Sequence, residues 1–331
     1  MADSKILFPS DETIRAAADA LAAGELVGVP TETVYGLAAD ARNQTAVQKI
    51  FAAKGRPSNN PLIAHFATPA AAEQWVDINA DPRIASQWEL AKQFWPGPLT
   101  VVAPLKGPVA PAVTAGANTL AVRVPNHPVM RSLLESTEFP LAAPSANRSN
   151  YVSPTCARHV AQGFGDSLAM VLDGGDCACG VESTIIRLTK TRPQLLRPGG
   201  ISIEQLELVF GEIEIATQHK TTSEAMPSPG LLRKHYSPAK RLIKVSEFDA
   251  GVAAPDKIAR IFFSPDHPDS NVAYRWTRVL SATGNLNEVA QHLFAAIRDA
   301  DQSDCELIVI DVCTLDGIGR AIMDRVDRAS N

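Results

Sequence analysis

Residues 182–200, ESTIIRLTKTRPQLLRPGG, hold two apolar runs, 183–188 and 194–197, parted by a short polar stretch with no room for a helix. Parallel strands need a crossover of a dozen or more residues, so two strands this close pair antiparallel. Around them the pattern is one of alternating helices and strands. Ser10 followed by DETIRAAADALAAG reads as a capped helix with acids in its first turn and Gly24 as its stop. LVGVP is then a short buried strand, and NQTAVQKIFAAKG a helix with apolar Val47, Ile50 and Phe51 on one face and Gly55 past its end.

Further along, helices are expected over 70–76, 83–94, HPVMRSLLES, SPTCARHVAQGFG and SIEQLELVFG. Strands are expected at PLIAHF, FWPGPLTVVAPL, NTLAVRVP, PLAAPSAN and LAMVLDGG. Alternation with some antiparallel pairing predicts an α/β fold with a mixed twisted sheet over residues 1–212. Residues 213–240 lose periodicity and gain Ser, Thr and Pro, which marks a linker, although LLRKHYSP is too aromatic and basic for a mere spacer. Residues 241–331 resume strand and helix patterns suited to a smaller Rossmann-like α/β domain with a mainly parallel sheet.

The 331 residues are 45% apolar and 20% charged, ordinary for a packed, water-soluble chain. The uncharged stretch 107–122 is broken by Pro108, Pro111 and Gly116 and is too short to span a bilayer, and MADSKILFPS lacks the order of a signal peptide. A cytoplasmic protein is expected. Five cysteines without CxxC spacing argue against a disulfide framework and a zinc ribbon, and Cys177 with Cys179 reads more readily as two loop thiols than as half a metal site. The seven His residues show no HxxxH or HExxH spacing, so no protein-borne metal site is expected. Net charge is -5, with 17 basic against 21 acidic residues in 1–215. That balance disfavours tight, autonomous nucleic-acid binding and leaves room for a local basic cavity and weak tRNA binding.

No GxxxxGK[ST] is present, and GIGRAI at 317–322 lacks the third Gly of a dinucleotide loop. Fixed cations are the remaining means of holding phosphate. KGRPSNNPLIAHF, 54–66, sets Lys54 and Arg56 between a helix and a buried strand, either as phosphate contacts or as a solvated basic turn. In SPT, 153–155, Ser153 caps a helix with Pro154 at its first position, which is either a phosphate site or ordinary capping. PSAN, 144–147, places Ser145 and Asn147 at a strand end, where α/β sheets bind ligands. Arg123 inside LAVRVP needs an anion opposite it, from a ligand or from an Asp or Glu partner. Thr31, Glu32 and Thr33 offer donors and acceptors after a buried strand, and Arg197 precedes a flexible turn. No nucleophile system stands out.

Taken in order, PTETVYGLAADA, KGRPSNNPLIAHF, FWPGPLTVV, LAVRVPNHP, PLAAPSANRSNYVSPT, DGG with GVESTII, and LLRPGGIS resemble the threonylcarbamoyl-AMP synthase family and its YrdC-like fold. SPGLLRKHYSP is similar to the linker motif of the two-domain form, and GIGRAIMDR to the end of its C-terminal domain. The resemblance implies condensation of L-threonine, bicarbonate and ATP, with Mg2+ carried on the nucleotide, and delivery of the product to the threonylcarbamoyl-transferase machinery that modifies tRNA. It further implies that Thr33, His65, Arg123, Ala143 and Ser183 surround threonine. Arg56, Asn60, Thr119, Ser145, Ser153, Arg197 and Tyr236 would hold ATP, with Lys54 and Asn147 as further phosphate or nucleotide contacts. Two positions depart from the family pattern: Leu231, where Met is common, and Arg187, where Asp is common. A non-catalytic RNA- or ribosome-binding module using the same concave face, and carbamoyl transfer from carbamoyl phosphate, are the competing readings.

Overall fold

The computed structural model describes residues 5–216, 236–249 and 252–330. Most of the expected linker, including Leu231, therefore lies outside the described residues.

Eleven strands form one twisted mixed sheet. From one edge the order is Ile6–Leu7, Met170–Leu172, Val27–Val29, Gly36–Asp40, Leu141–Ala142, Ile63–His65, Thr119–Arg123, Leu99–Pro104, Thr184–Arg187, Gln194–Arg197 and Glu214–Ile215. The hairpin expected in 182–200 is present: Thr184–Arg187 and Gln194–Arg197 pair antiparallel, with a register shift between Leu195 and Arg197. Strand Gly36–Asp40 is not among the strands expected from the sequence, because its five residues are all buried, without the period-two alternation that marks a half-exposed strand.

Local signals set the helices that flank the active region. Helix Asp11–Ala22 starts at Ser10, whose side chain accepts from Thr13 N. Helix Gln44–Lys54 ends because Gly55 takes φ 61°, a left-handed turn that glycine adopts without penalty. The chain then feeds Arg56 directly into strand Ile63–His65.

The helix expected from Ser153 begins later, at Ala157, with Cys156 in the cap position and no side-chain cap. Tertiary hydrogen bonds hold 153–155 instead: Tyr35 N donates to Pro154 O, and Cys177 N to Thr155 O. Tertiary pairing has overridden a local capping preference.

Residues 241–310 contribute a second sheet in the order Arg241–Lys244, Leu307–Ile310, Ile258–Phe262, Trp276–Val279, and its three pairings are all parallel. Helices Leu286–Gln302 and Gly319–Ala329 pack on it. Their apolar faces also cover Val34, Val152, Val181 and Tyr236, so one core joins the second domain to the rim of the first. Among the described residues no helix is long and apolar enough to cross a membrane.

Candidate active site

Strand Ile63–His65 runs parallel to Thr119–Arg123 with His65 opposite Arg123, and Leu99–Pro104 runs antiparallel beyond it with Thr100 opposite Arg123. Residues paired across neighbouring strands project from the same face. His65, Arg123 and Thr100 thus form a row at one end of the sheet, at the carboxyl ends of its two parallel members, where α/β sheets offer a crevice. A cavity lies over this row, walled also by Thr33, Ala143 and Ser183.

Arg123 is 4% exposed. Its Nη1 donates to Thr33 Oγ1 at 2.9 Å, and its Nη2 sits 2.7 Å from Glu32 Oε1, an ion pair without hydrogen-bond alignment. The anion that the sequence demanded is thus Glu32. Beside it, burial and the Arg123 charge push the His65 imidazole down to about 3, so it is neutral at pH 7. Among the described residues its buried Nδ1 has no hydrogen-bond partner. His65 lines the cavity, and an unpartnered polar atom on such a residue is open to a hydrogen bond with a ligand. Ser183 Oγ shares a hydrogen bond of 2.7 Å with Thr100 Oγ1, a buried partner that sequence reading did not single out.

Two guanidiniums occupy the other side. Arg56 is fixed by its own loop: Nε donates to Asn60 O at 3.0 Å, and Nη2 to Asn60 Oδ1 at 2.6 Å and Pro61 O at 2.7 Å. Arg197 Nη2 donates to Ser183 O at 2.9 Å. The turn after Arg197 closes this tightly because residue 199 is glycine: a Cβ there would fall 2.3 Å from Glu182 O and Thr184 N. Burial, and next the Arg197 charge, disfavour the charge on Arg56. A guanidinium does not give up its proton in a protein, so the repulsion between these two neighbouring cations is relieved by an anion that enters between them.

The remaining expected residues play different parts. Lys54 is 2% exposed, and its Nζ donates to the carbonyls of Ser145 and Asn147, both at 2.5 Å, so it ties the PSAN loop to the helix end and does not face the cavity. Asn60 braces Arg56. Asn147 Nδ2 donates to Arg148 O and Tyr151 O at 2.8 Å. Ser153, expected to present a helix terminus to phosphate, is wholly buried and donates its hydroxyl to Glu182 Oε1 at 2.6 Å. Thr119 lies at the far end of its strand from Arg123 and does not line the cavity. Arg187, at the end of strand Thr184–Arg187, likewise does not line the cavity. Ser145 and Tyr236 do line it.

Glu182 is the cavity residue that sequence reading passed over inside GVESTII. Burial would raise its carboxyl, but the Arg325 and Arg197 guanidiniums and the Ser153 hydroxyl outweigh burial and hold it at about 2. Its main partner, Arg325, is 143 residues away in sequence, a separation that leaves no local signal.

The fold and cavity define a YrdC-like α/β domain, capped by a parallel α/β domain that supplies part of the cavity's support. The family described as Telomere recombination matches residues 19–199, and that described as Threonylcarbamoyl-AMP synthase, C-terminal domain, matches residues 201–331. The threonylcarbamoyl-AMP synthase of Pyrococcus abyssi is 40% identical over 96% of this chain and 94% of its own length, and that of Bacillus subtilis 38% identical over 98% and 94%. The crystal structure of P. abyssi Sua5 complexed with L-threonine superimposes with a TM-score of 0.88 at 37% identity, covering 98% of this chain and 96% of that one. The chain belongs to the threonylcarbamoyl-AMP synthase family.

Proposed function

We propose that this chain is a nucleotidyltransferase that condenses L-threonine, bicarbonate and ATP into threonylcarbamoyl-AMP with release of pyrophosphate. The observation that carries this reading is one cavity with two chemically distinct sides. The neighbouring guanidiniums of half-buried Arg56 and buried Arg197 suit a polyphosphate. The row of Thr33, His65 and Arg123 suits a small amino acid: the cation meets its carboxylate, and the neutral imidazole offers a buried polar atom. The solved P. abyssi relative, with L-threonine, supports the same assignment.

The amine of threonine takes up carbon dioxide from bicarbonate to give a carbamate, and the water so formed leaves. A carbamate oxygen then attacks the α-phosphorus of ATP, the bond to the β-phosphate oxygen breaks, and pyrophosphate departs. Such a displacement needs alignment and charge neutralisation more than a side-chain nucleophile. Arg56 and Arg197 supply the cations; Arg123, held by Thr33, orients the amino acid. Asn60 and Lys54 act behind them by bracing Arg56 and the Ser145 loop.

Glu182, the cavity carboxylate, is taken up by Arg325 and Ser153, and the described residues contain no group of three or more His, Cys, Asp or Glu side chains arranged to hold a metal. This donor set suits Mg2+ that arrives on the triphosphate oxygens, where it neutralises phosphate charge. The product would pass to a threonylcarbamoyl-transferase acting on tRNA in the cytoplasm.

The test is pyrophosphate release with L-threonine and bicarbonate together, each alone, and L-serine. Release that requires both, and that falls by about a hundredfold or more in Arg56→Ala, supports the synthase. Release that is absent, or indifferent to threonine, overturns the synthase reading, and absent release leaves a binding module.

A further inference from the structure

The strongest unexplained feature is the approach of the C-terminal domain to Glu182. Arg325, from helix Gly319–Ala329, is wholly buried; its Nε donates to Glu182 Oε2 at 2.8 Å and its Nη1 to Pro198 O at 2.8 Å, next to Arg197. The loop that carries Glu182 is shaped by the same domain. Gly180 takes φ 73° and lies so close to helix Leu286–Gln302 that a Cβ would fall 2.3 Å from Ala290 O, while Val181 joins the core around Phe294. Arg298 from that helix donates to Ser153 O at 3.2 Å, which fixes the other hydrogen-bond partner of Glu182.

Glu182 is also close enough to Arg197 and Lys54 to interact electrostatically with both. A buried carboxylate must have a cation. Were Arg325 absent, the nearest replacement would be Arg197, with Arg56 beside it. The cations of the cavity would then be spent on the protein's own carboxylate.

We propose that Arg325 is a positioning residue, lent by the C-terminal domain, that occupies Glu182 and so keeps the Arg56 and Arg197 guanidiniums open for the triphosphate. The proposal rests on the reading of this cavity as an ATP site, and it gives the second domain an electrostatic task in addition to a packing one.

Binding of ATP and, separately, of L-threonine is measured by calorimetry on the full chain, with thermal unfolding recorded for each variant. Arg325→Met weakens ATP by about tenfold or more, since the freed carboxylate competes with phosphate. Glu182→Gln tightens ATP by about threefold, because it removes a negative charge beside the phosphate subsite while Arg325 keeps its second partner, Asp324. The double variant returns to within about threefold of the parent. Threonine binding moves far less in all three.

A merely structural contact predicts another pattern, in which all three variants lose ATP and threonine together; that pattern overturns the proposal, as does a double variant that binds ATP no better than Arg325→Met. Should Arg325→Met fail to fold, the isosteric Glu182→Gln decides by sign: tighter ATP binding supports the proposal and weaker binding refutes it. A parent chain that binds threonine but no ATP overturns the ATP-site reading and this proposal with it, whereas a parent that binds ATP leaves the variants to test Arg325 alone.

Discussion

Lys54 Nζ lies 2.5 Å from the carbonyl oxygens of both Ser145 and Asn147, joining the end of a helix to a loop more than ninety residues further on. Burial first, and then the Arg56 charge, hold its pKa well below the ordinary lysine range. Lys54→Met would leave two carbonyls without their donor, a loss of about 2 kcal/mol. The urea midpoint should fall accordingly, and KM for ATP should rise as Ser145 shifts. A variant as stable as the parent would show that the ammonium contributes nothing net there.

His65 makes stability depend on pH in a defined window. The unfolded imidazole takes up its proton near pH 6.5, and the folded one only near pH 3. Between those values the unfolded chain binds more protons, so stability that is complete above pH 6.5 is lost as the pH falls towards 3. Urea unfolding at several pH values should show the parent losing stability more steeply than His65→Gln between pH 6.5 and 4. Equal slopes would mean that the imidazole is not buried and neutral.

Arg123→Lys keeps the charge but replaces a planar fork with a point charge. The contacts to Thr33 and Glu32 cannot both be kept. KM for L-threonine should rise by about tenfold or more, with KM for ATP nearly unchanged. Steady-state kinetics with each substrate varied in turn separates the two, and an equal rise in both would place Arg123 outside the amino-acid subsite.

Gly180→Ala introduces a Cβ 2.3 Å from Ala290 O in a backbone with φ 73°. Strain and clash together should cost about 2 kcal/mol or more and push the C-terminal domain off the Glu182 loop. Pyrophosphate release should fall with stability, and limited proteolysis should cut between the domains faster than in the parent. Parent-like cleavage and activity would show that the loop yields without cost.

Legibility in the sequence followed the range of the forces involved. Helix Gln44–Lys54, its Gly55 stop and the strand after it were readable because apolar spacing and a left-handed glycine act within a few residues. The hairpin of 182–200 was readable because connection length excludes a parallel pair. Arg123 announced itself as a charge inside a strand, and Arg56 as a cation at a strand mouth. The family motifs then pointed to most of the residues that meet at the cavity. Ser153, Lys54 and Glu182 were misread or missed for one common reason. Each carries a side chain whose partner is fixed by the packing of distant segments: Glu182 for Ser153, the Ser145 and Asn147 carbonyls for Lys54, and Arg325 for Glu182. Sequence periodicity determines which faces are buried, and capping chemistry determines where helices stop. Which buried charge meets which is decided only when the two domains close on one core, since an ion pair is a property of three-dimensional distance and not of chain order.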